Sequence, residues 1–318
     1  MKDIAGKTAF ITGGASGIGL GIAKACAKYG MNVVIADMRQ EALDEALAYF
    51  KAKNQPAYAV NLNVTDREAY AKAADEAESA FGNIHVLVNN AGVGAICSVD
   101  TMTYKDWDFG MGVILDGTIN GVQTILPRML KHGEGGHIVA TSSTNGIAAS
   151  GVALIYCTAK FAVAGMMEAL GTELQGRNIN CSVLVPGPTS TNLGRTSAET
   201  RPDDLKNEGV SYEPPAPPPD ADQEEMMARM SDPNVWMNPL ETGERVLRGI
   251  RNNDLFIITH PEFKNGFNAR HEAIMRACPD EPPNPSRLEV MQGFGTVMYN
   301  DIYDKQQQVG PPDWVLDY

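Results

Sequence analysis

The chain has 318 residues and a formal net charge of −13, with 39 acidic against 26 basic side chains. This charge disfavours nucleic acids and anionic membrane surfaces as partners, because both carry the same sign. With 43% hydrophobic residues, the chain can form the core of one large α/β domain or two small ones.

The five cysteines are scattered and show no paired spacing. This arrangement argues against a disulfide framework and against a structural zinc site. No signal-peptide pattern precedes the first predicted strand, and no apolar run reaches the ~18 residues of a membrane span. The sequence therefore predicts a cytoplasmic protein without a metal site.

Short apolar runs alternate with helical patterns from residue 7 to about residue 184. The runs that predict strands are Thr8–Ile11, Val33–Ala36, Ala57–Val60, Val86–Val88, His137–Ala140 and Cys181–Val185. Continuous apolar strands separated by helices are typical of a parallel sheet that is covered on both faces. The predicted fold class is therefore α/β, a doubly wound parallel sheet of the Rossmann type.

This alternation ends after Pro186. Residues 192–238, here called the insertion, are rich in Pro, Asp, Glu and Met, and they leave the sheet at the end where such folds bind ligands. We therefore expect the insertion to cover the substrate. The remaining predicted elements are a helix near 241–251, a strand at 255–258 and tail helices near 262–277 and 286–305. Residues 1–318 are predicted to form a single domain with this insertion and a C-terminal extension at 260–318.

A glycine-rich turn connects the first predicted strand to the first helix. The residues assigned to it are Gly13, Ser16, Gly17, Ile18 and Gly19. Glycines permit the backbone angles of such a turn, and the free amides at the helix N-terminus can meet phosphate. Asp37 ends the second strand about 20 residues further on, where a carboxylate binds the adenosine ribose. The turn is therefore predicted to bind a dinucleotide.

Asp37 also bears on the choice between the two nicotinamide dinucleotides. Its carboxylate should repel a 2′-phosphate, which favours NAD and disfavours NADP. Arg39 lies nearby and could offset this repulsion. The alternative is that Arg39 is a solvated residue in the first turn of a helix.

Tyr156 and Lys160 form a second motif, four residues apart on one face of a predicted helix. A phenol with a pKa near 10 is a poor base at neutral pH. A neighbouring ammonium and a positive nicotinamide should lower that pKa. Tyr156 can then exchange a proton with an alcohol or a ketone.

The order of these motifs resembles the short-chain dehydrogenase/reductase family over roughly residues 4–260. The motifs that carry the resemblance are Thr12–Gly19, Asn89–Gly92, Ser143, Tyr156-x-x-x-Lys160 and Pro186-Gly187. Within the family, the chain is most similar to bacterial NAD-dependent Cα-dehydrogenases of lignin-derived aryl ethers. This resemblance implies an oxidoreductase that interconverts a secondary alcohol and a ketone on a bulky, aromatic substrate.

The resemblance also implies roles for individual residues. Ser143, with Ser142 as the alternative, holds the substrate oxygen, Tyr156 is the general acid/base, and Lys160 lowers the pKa of Tyr156 and binds the nicotinamide ribose. Asn63 and Val64 are expected at the adenine. The other implied cofactor contacts are Asn89, Ala91 and Gly92 at the adenine ribose and Pro186, Gly187, Thr189 and Thr191 at the nicotinamide.

One position departs from the family pattern. Many relatives carry an asparagine where this chain has Ile114, and an isoleucine cannot hold the water that relays protons to the lysine. Thr118 or Asp116 could take its place. The alternative is an NAD-binding protein with reduced or lost turnover. A further alternative is a hydroxysteroid dehydrogenase, which uses the same residues under a different insertion.

The insertion carries apolar side chains that suit a bulky ligand, or that simply pack the insertion onto the body. These side chains are Met226, Met227, Met230, Trp236 and Met237. His260 and His271 are expected to be structural or exposed. The expected partners are a small-molecule alcohol or ketone and further copies of the chain in a homodimer or homotetramer.

Overall fold

A computed structural model describes residues 1–151, 153–207, 232–295 and 300–309. Seven strands form one parallel sheet. They are β1 (Thr8–Thr12), β2 (Asn32–Asp37), β3 (Ala57–Asn61), β4 (Ile84–Asn89), β5 (Gly136–Thr141), β6 (Ile179–Val185) and β7 (Phe256–Ile258). Their spatial order is β3-β2-β1-β4-β5-β6-β7. This order confirms the predicted doubly wound Rossmann-type fold.

Helices cover both faces of the sheet. They are α1 (Gly17–Lys28), α2 (Gln40–Ala52), α3 (Arg67–Phe81), α4 (Tyr104–Met111), α5 (Gly117–His132), α6 (Leu154–Glu173), α7 (Leu193–Thr200), α8 (Pro239–Asn252), α9 (Lys264–Ala277) and α10 (Pro285–Gln292). A π-helical turn at Gly112–Asp116 joins α4 to α5. Asp66 caps α3, because its carboxylate accepts hydrogen bonds from two amides of the first turn at 2.9 Å.

The sheet separates two apolar clusters. Successive residues of β1 point to opposite faces, so Phe10 lies in one cluster while Ala9 and Ile11 lie in the other. Strands β1, β4 and β5 are buried along their whole length. Burial on both faces explains why these strands are continuous apolar runs rather than alternating ones.

The direction of winding reverses between β1 and β4, which places a crevice at their carboxyl ends. The hydroxyl of Thr12, at the end of β1, accepts hydrogen bonds from the amides of Asn90 at 2.9 Å and Ala91 at 3.1 Å. The glycine-rich turn and the segment after β4 are therefore held side by side. This arrangement forms the floor of the site described below.

Helix α6 is long and apolar enough to cross a membrane, judged by its length and composition alone. Polar residues interrupt this segment, so it does not form a continuous apolar run in the sequence. Its buried residues include Ala159, Val163 and Met167, and these pack in one of the two core clusters. The helix therefore lies against the sheet as a core element of the fold.

The C-terminal region is helical, as predicted, but its second helix is shorter than expected. The sequence predicted a helix near 286–305, whereas α10 ends at Gln292. Two glycines follow, and Gly295 has a left-handed backbone with φ of 59°. The chain returns to the body at Asn300, whose side chain donates to the Thr172 hydroxyl at 2.7 Å. Residues 296–299 lie outside the described residues.

The backbones of helices α1 and α8 are in direct contact where the two helices cross. A Cβ atom on Gly21 would lie 2.0 Å from the Pro239 carbonyl oxygen. We therefore expect Gly21→Ala to lower the free energy of unfolding by about 3 kcal/mol, because neither backbone can move away without unpacking its helix. Gly266→Ala on α9 is the control, since a Cβ there meets no atom within 4 Å. Urea unfolding of both variants checks this, and equal stabilities would contradict it.

Candidate active site

One cavity opens where the strands end. Its wall includes residues at or just after the carboxyl ends of six strands, from β1 to β6. In strand order these are Gly13, Asp37, Leu62, Asn90, Thr141 and Pro186. Parallel strands present their carboxyl ends at the same edge of a sheet, so the topology brings these distant residues together.

The glycine-rich turn has the geometry of an anion site. Gly13 and Gly17 have φ angles of 60° and 50°, in the left-handed region that favours glycine. A Cβ on Gly19 would lie 2.1 Å from the Gly13 carbonyl oxygen, so the turn requires glycine there as well. Ser16 precedes α1 without a side-chain hydrogen bond to the helix amides, and the first turn has no acidic residue. These amides can therefore meet the phosphates of a dinucleotide.

Arg39 is not the solvated helix residue that the sequence left open. Its guanidinium lies on the Asp37 carboxylate, with both nitrogen–oxygen distances at 3.2 Å, and it donates to the Ser16 hydroxyl at 2.7 Å. Asp37 is buried at the end of β2, so its charge needs such a partner. The Arg39 guanidinium thus links Ser16 of the glycine-rich turn to the Asp37 carboxylate.

The adenine side of the predicted cofactor site lies beyond Asp37. Asn63 and Val64 both lie on the cavity wall. The side-chain oxygen of Asn63 accepts from the hydroxyl of Thr65 at 2.9 Å and from its amide at 3.1 Å. This turn fixes the side chain of Asn63 before any ligand arrives.

The remaining predicted wall residues lie on both sides of the turn. Ile18, Ala91, Gly92 and Thr191 all border the cavity. Thr191 packs against the turn, since a Cβ on Gly17 would lie 3.1 Å from its methyl carbon. The segment after β6 therefore closes over the glycine-rich turn.

Lys160 and Tyr156 lie side by side on α6, and both border the cavity. The Lys160 ammonium lies 5.6 Å from the centre of the Tyr156 ring. It is buried and donates to the Thr141 carbonyl at 2.7 Å. Burial lowers the pKa of Lys160 to about 7.

The pKa of Tyr156 differs from the expectation. Burial raises it, and a hydrogen bond from Ser143 only partly offsets this. The sequence predicted that the Lys160 ammonium would lower this pKa. In the structure, the nitrogen of Lys160 is directed to the Thr141 carbonyl, so the desolvation of the phenol has the larger effect. The protein alone therefore holds Tyr156 in its neutral form.

Two adjacent serines follow β5, and only one reaches the phenol. The Ser142 hydroxyl donates to the Lys160 backbone carbonyl at 2.8 Å and is buried. Ser142 borders the cavity, but its hydroxyl is hydrogen-bonded to the backbone of α6. The Ser143 hydroxyl instead makes a hydrogen bond to Tyr156. The structure therefore favours Ser143 over Ser142 as the partner of the tyrosine.

Ile114 lies in the π-helical turn, and its side chain is buried in the core. The Thr118 hydroxyl donates to the Ile114 carbonyl at 2.7 Å, and Asp116 is exposed. Neither of the two predicted substitutes for the family asparagine is hydrogen-bonded to Lys160 in the part of the chain that the structure describes. The hydrogen bond of Lys160 goes to Thr141 instead.

Four of the predicted cofactor residues lie behind the wall rather than on it. Gly19 packs inside the turn, and the Asn89 side chain accepts from the buried Tyr70 hydroxyl at 3.2 Å. Gly187 packs against His260, and the Thr189 hydroxyl donates to the Gly187 carbonyl at 3.1 Å. These residues shape the cavity through the backbone.

Helix α7 and the turn after it form a wall that residue patterns did not identify. The side chains from this segment are Leu193, Thr196, Thr200, Pro202 and Leu205. They belong to the first part of the insertion. Phe109 of α4 and Val93 also lie on the wall. Met226, Met227 and Met230 lie outside the described residues, while Trp236 and Met237 are described but do not line the cavity.

An ion pair fixes this wall to the body. The Arg201 guanidinium lies 2.8 Å from the Asp106 carboxylate and 5.2 Å from the centre of the Phe109 ring. Asp106 also accepts from the side chain of Asn207 at 2.8 Å. The sequence pattern that indicates a role for Asp106 is the capping box that it forms with Thr103 at the start of α4. That pattern does not identify Arg201 as the partner of Asp106.

Comparisons with known proteins agree with this geometry. The model of the family described as short chain dehydrogenase matches residues 7–202. The chain is 35% identical to a C alpha-dehydrogenase of Sphingobium sp., over 93% of this chain and 95% of that protein. Both the family model and this relative cover the glycine-rich turn and helix α6.

Two solved structures share the fold at similar identity. A short chain dehydrogenase/reductase of Burkholderia phymatum in complex with NAD has a TM-score of 0.78 and 31% identity, covering 89% of this chain and 100% of that one. The apo form of LigO from Sphingobium sp. has a TM-score of 0.72 and 36% identity, covering 94% of this chain and 99% of that one. The chain therefore belongs to the short-chain dehydrogenase/reductase family, as an oxidoreductase related to the Cα-dehydrogenases.

Proposed function

We propose that this protein is an NAD-dependent alcohol dehydrogenase/reductase that interconverts a secondary alcohol and a ketone on a bulky, aromatic substrate. One observation carries the proposal. Tyr156 and Lys160 border the same cavity as the glycine-rich turn and Asp37, and Ser143 is hydrogen-bonded to Tyr156 from behind the cavity wall. A proton-transfer group and a dinucleotide site therefore meet in one place.

Each residue of this group has a separate task in the proposed reaction. When bound, the nicotinamide cofactor supplies the hydride acceptor or donor. Ser143 donates a hydrogen bond to the substrate oxygen, and Tyr156 takes the hydroxyl proton during oxidation and returns it during reduction. Lys160 supports the phenolate by its charge and contacts the nicotinamide ribose. The neutral Tyr156 of the free protein is the form that donates a proton to a ketone.

The proposed preference for NAD rests on Asp37, whose buried carboxylate stands where the adenosine ribose is expected. We expect Asp37→Ser to lower the ratio of kcat/KM for NAD to that for NADP by about 10- to 100-fold. The substitution removes the repulsion of a 2′-phosphate and releases Arg39 to bind it. Steady-state kinetics with both cofactors checks this.

Asp108 supplies the matched control for this change. It also lies on the cavity wall, but its side chain is exposed at the rim. Asp108→Ser should leave the cofactor ratio within about twofold, because an exposed charge is screened by water and salt. Equal ratios for Asp37→Ser and the unaltered protein would refute the assignment of Asp37.

The proposed substrate class rests on apolar residues of the cavity wall. Leu193, Leu205 and Phe109 all line the cavity, and apolar side chains of this kind suit an aromatic ring. The similar Sphingobium protein is described as a C alpha-dehydrogenase, which is consistent with an alcohol carbon next to a ring. A hydroxysteroid is the second candidate, since a large apolar wall would accept it too.

The direct test is NADH formation from NAD with a panel of aryl-substituted secondary alcohols and hydroxysteroids. Turnover of the aryl alcohols supports the proposal, and turnover of the steroids alone replaces its substrate class. NAD binding without turnover of any alcohol would instead favour the alternative in which Ile114 has cost the protein its activity. Failure to bind NAD would refute the dinucleotide site itself.

The expected assembly and location are also proposals. We propose a cytoplasmic homodimer or homotetramer that acts on a small-molecule alcohol or ketone. The negative net charge supports this by disfavouring nucleic acid and anionic membranes as partners. Light scattering of the purified protein would distinguish the two assemblies, and a monomer would contradict both.

A further inference from the structure

His260 lies directly behind the turn that follows β6. Its buried ring accepts a hydrogen bond at Nδ1 from the Gly187 amide at 3.1 Å, and its Nε2 lies 3.0 Å from the Pro188 carbonyl oxygen. A carbonyl only accepts, so Nε2 carries the hydrogen, and the bare Nδ1 also accepts from the Thr259 hydroxyl at 2.7 Å. One neutral imidazole thus connects two successive residues of the turn.

The same ring explains the glycine at position 187. A Cβ on Gly187 would lie 2.7 Å from Cγ of His260 and 2.8 Å from its Nδ1. Any other residue at this position would displace the imidazole. Phe263 packs edge-on against the imidazole, with the ring centres 6.2 Å apart, and its Cε2 would lie 2.8 Å from the same Cβ. The histidine is therefore enclosed between the turn and the segment after β7.

The turn that His260 holds is connected to the catalytic group. Pro186 lies on the cavity wall, and its carbonyl accepts from the amide of Thr144, the residue after Ser143, at 3.1 Å. The Pro188 carbonyl also accepts from the amide of Met237 at 3.1 Å. A shift of the turn would therefore move both the Ser143 segment and the end of the insertion.

We propose that His260 is a positioning residue that keeps the turn at 186–188 aligned with Ser143, and so sets both cofactor affinity and turnover without touching either ligand. The inference rests on the proposed function, because it takes Pro186 as a cofactor contact and Ser143 as a substrate contact. The positioning acts through the backbone of Gly187 and Pro188.

This alignment requires the neutral ring. A proton on Nδ1 would face the Gly187 N–H and remove the nearer of its two acceptors, since the Thr259 hydroxyl oxygen lies 3.3 Å from the same amide. Burial lowers the pKa of His260, and the contact with Pro188 opposes that shift. The charged groups that face the ring are Glu262 beside it and the Glu241–Arg245 pair of α8. The hydrogen bond to Gly187 is thus present at neutral pH and is lost as pH falls through the lowered pKa.

Two conservative variants separate the two hydrogen bonds. In His260→Asn, the side-chain oxygen can replace Nδ1 as the acceptor for Gly187. In His260→Gln, the side-chain amide can replace Nε2 as the donor to Pro188. We expect His260→Ala to weaken NADH binding and to lower kcat by about tenfold each, because the turn loses its link to Pro188 and the Gly187 amide keeps only its longer hydrogen bond, 3.3 Å to the Thr259 hydroxyl. His260→Asn should recover most of this loss, and more than His260→Gln.

The pH profile separates positioning from mere stability. In ketone reduction, which uses the neutral Tyr156, the unaltered protein and His271→Ala should both lose kcat/KM in an acid limb that follows protonation of His260, whereas His260→Asn should keep a flat profile there. His271→Ala is the control, since this histidine is exposed on α9. Variants that only unfold at lower temperature, with unchanged NADH affinity and an unchanged acid limb, would overturn the proposal. NADH titration requires no alcohol, so an unaltered protein that fails to bind NADH refutes the proposed function instead.

Discussion

Replacing Tyr156 with phenylalanine is expected to lower kcat by about 1,000-fold and to leave NADH affinity within about twofold. The hydroxyl is the group that exchanges a proton with the substrate, and general acid/base catalysis contributes effects of this order. The ring itself remains, so its packing beside Lys160 and its part of the cavity wall are preserved. Steady-state kinetics with the best alcohol of the panel, together with NADH titration, checks both halves of this expectation.

A matched tyrosine distinguishes this loss from a general effect of removing a hydroxyl. Tyr49 lies on α2, partly exposed, with Lys24 over its ring at 4.2 Å. Tyr49→Phe should retain full activity, because α2 lies outside the catalytic group. Turnover by Tyr156→Phe within tenfold of the unaltered protein would mean that another group transfers the proton.

Replacing Lys160 with methionine is expected to change activity and stability in opposite directions. Activity should fall by about 100-fold or more, because the phenolate loses its neighbouring cation. Stability should rise at low pH, because a buried ammonium is replaced by an apolar chain of similar length. The unfolded chain keeps this proton up to pH 10.5, whereas burial lowers the pKa of the folded lysine to about 7. The folded state therefore opposes protonation of Lys160.

This difference gives the stability change a definite pH dependence. Between pH 7 and pH 10.5 the unfolded state binds the extra proton, so the unaltered protein gains stability as pH rises through that window. The advantage of Lys160→Met should therefore shrink by about 2–3 kcal/mol from pH 6 to pH 9. Losing the hydrogen bond to Thr141 adds a cost that does not vary with pH. Urea unfolding at both pH values measures the change.

Tyr156→Phe is also the control for this experiment, because it keeps Lys160 buried. Its stability should follow that of the unaltered protein at both pH values. If Lys160→Met and the unaltered protein differ by the same free energy at pH 6 and pH 9, then Lys160 is not titrating as described.

The features that the sequence predicts are local. The glycine-rich turn depends on residues within one loop, and the pairing of Tyr156 with Lys160 depends only on helix periodicity. The strands are equally local, since each one is a single apolar run. Their spatial order then follows from the rules for parallel sheets, and with it the place of the cavity.

The features that the sequence did not predict depend on distant contacts. Arg39 was predicted near Asp37, but its hydrogen bond to Ser16 requires β1 and β2 to be adjacent. The raised pKa of Tyr156 follows from burial, and burial cannot be seen in a four-residue spacing. His260 was expected to be structural or exposed, and its contact with Gly187 joins positions far apart in the chain. Gly187 was expected at the nicotinamide, whereas the structure packs it against His260.

The crossing of α8 over α1 affects how the protein is made. Ile22 and Cys26 of α1 share a core cluster with Val246 and Ile250 of α8. This face of α1 stays exposed until the ribosome has added residues up to 252, which takes roughly 10–45 s at ordinary rates of synthesis. During that time the nascent chain exposes an apolar surface to which chaperones can bind. A truncated gene ending at residue 202, where the family match stops, would leave this surface permanently uncovered.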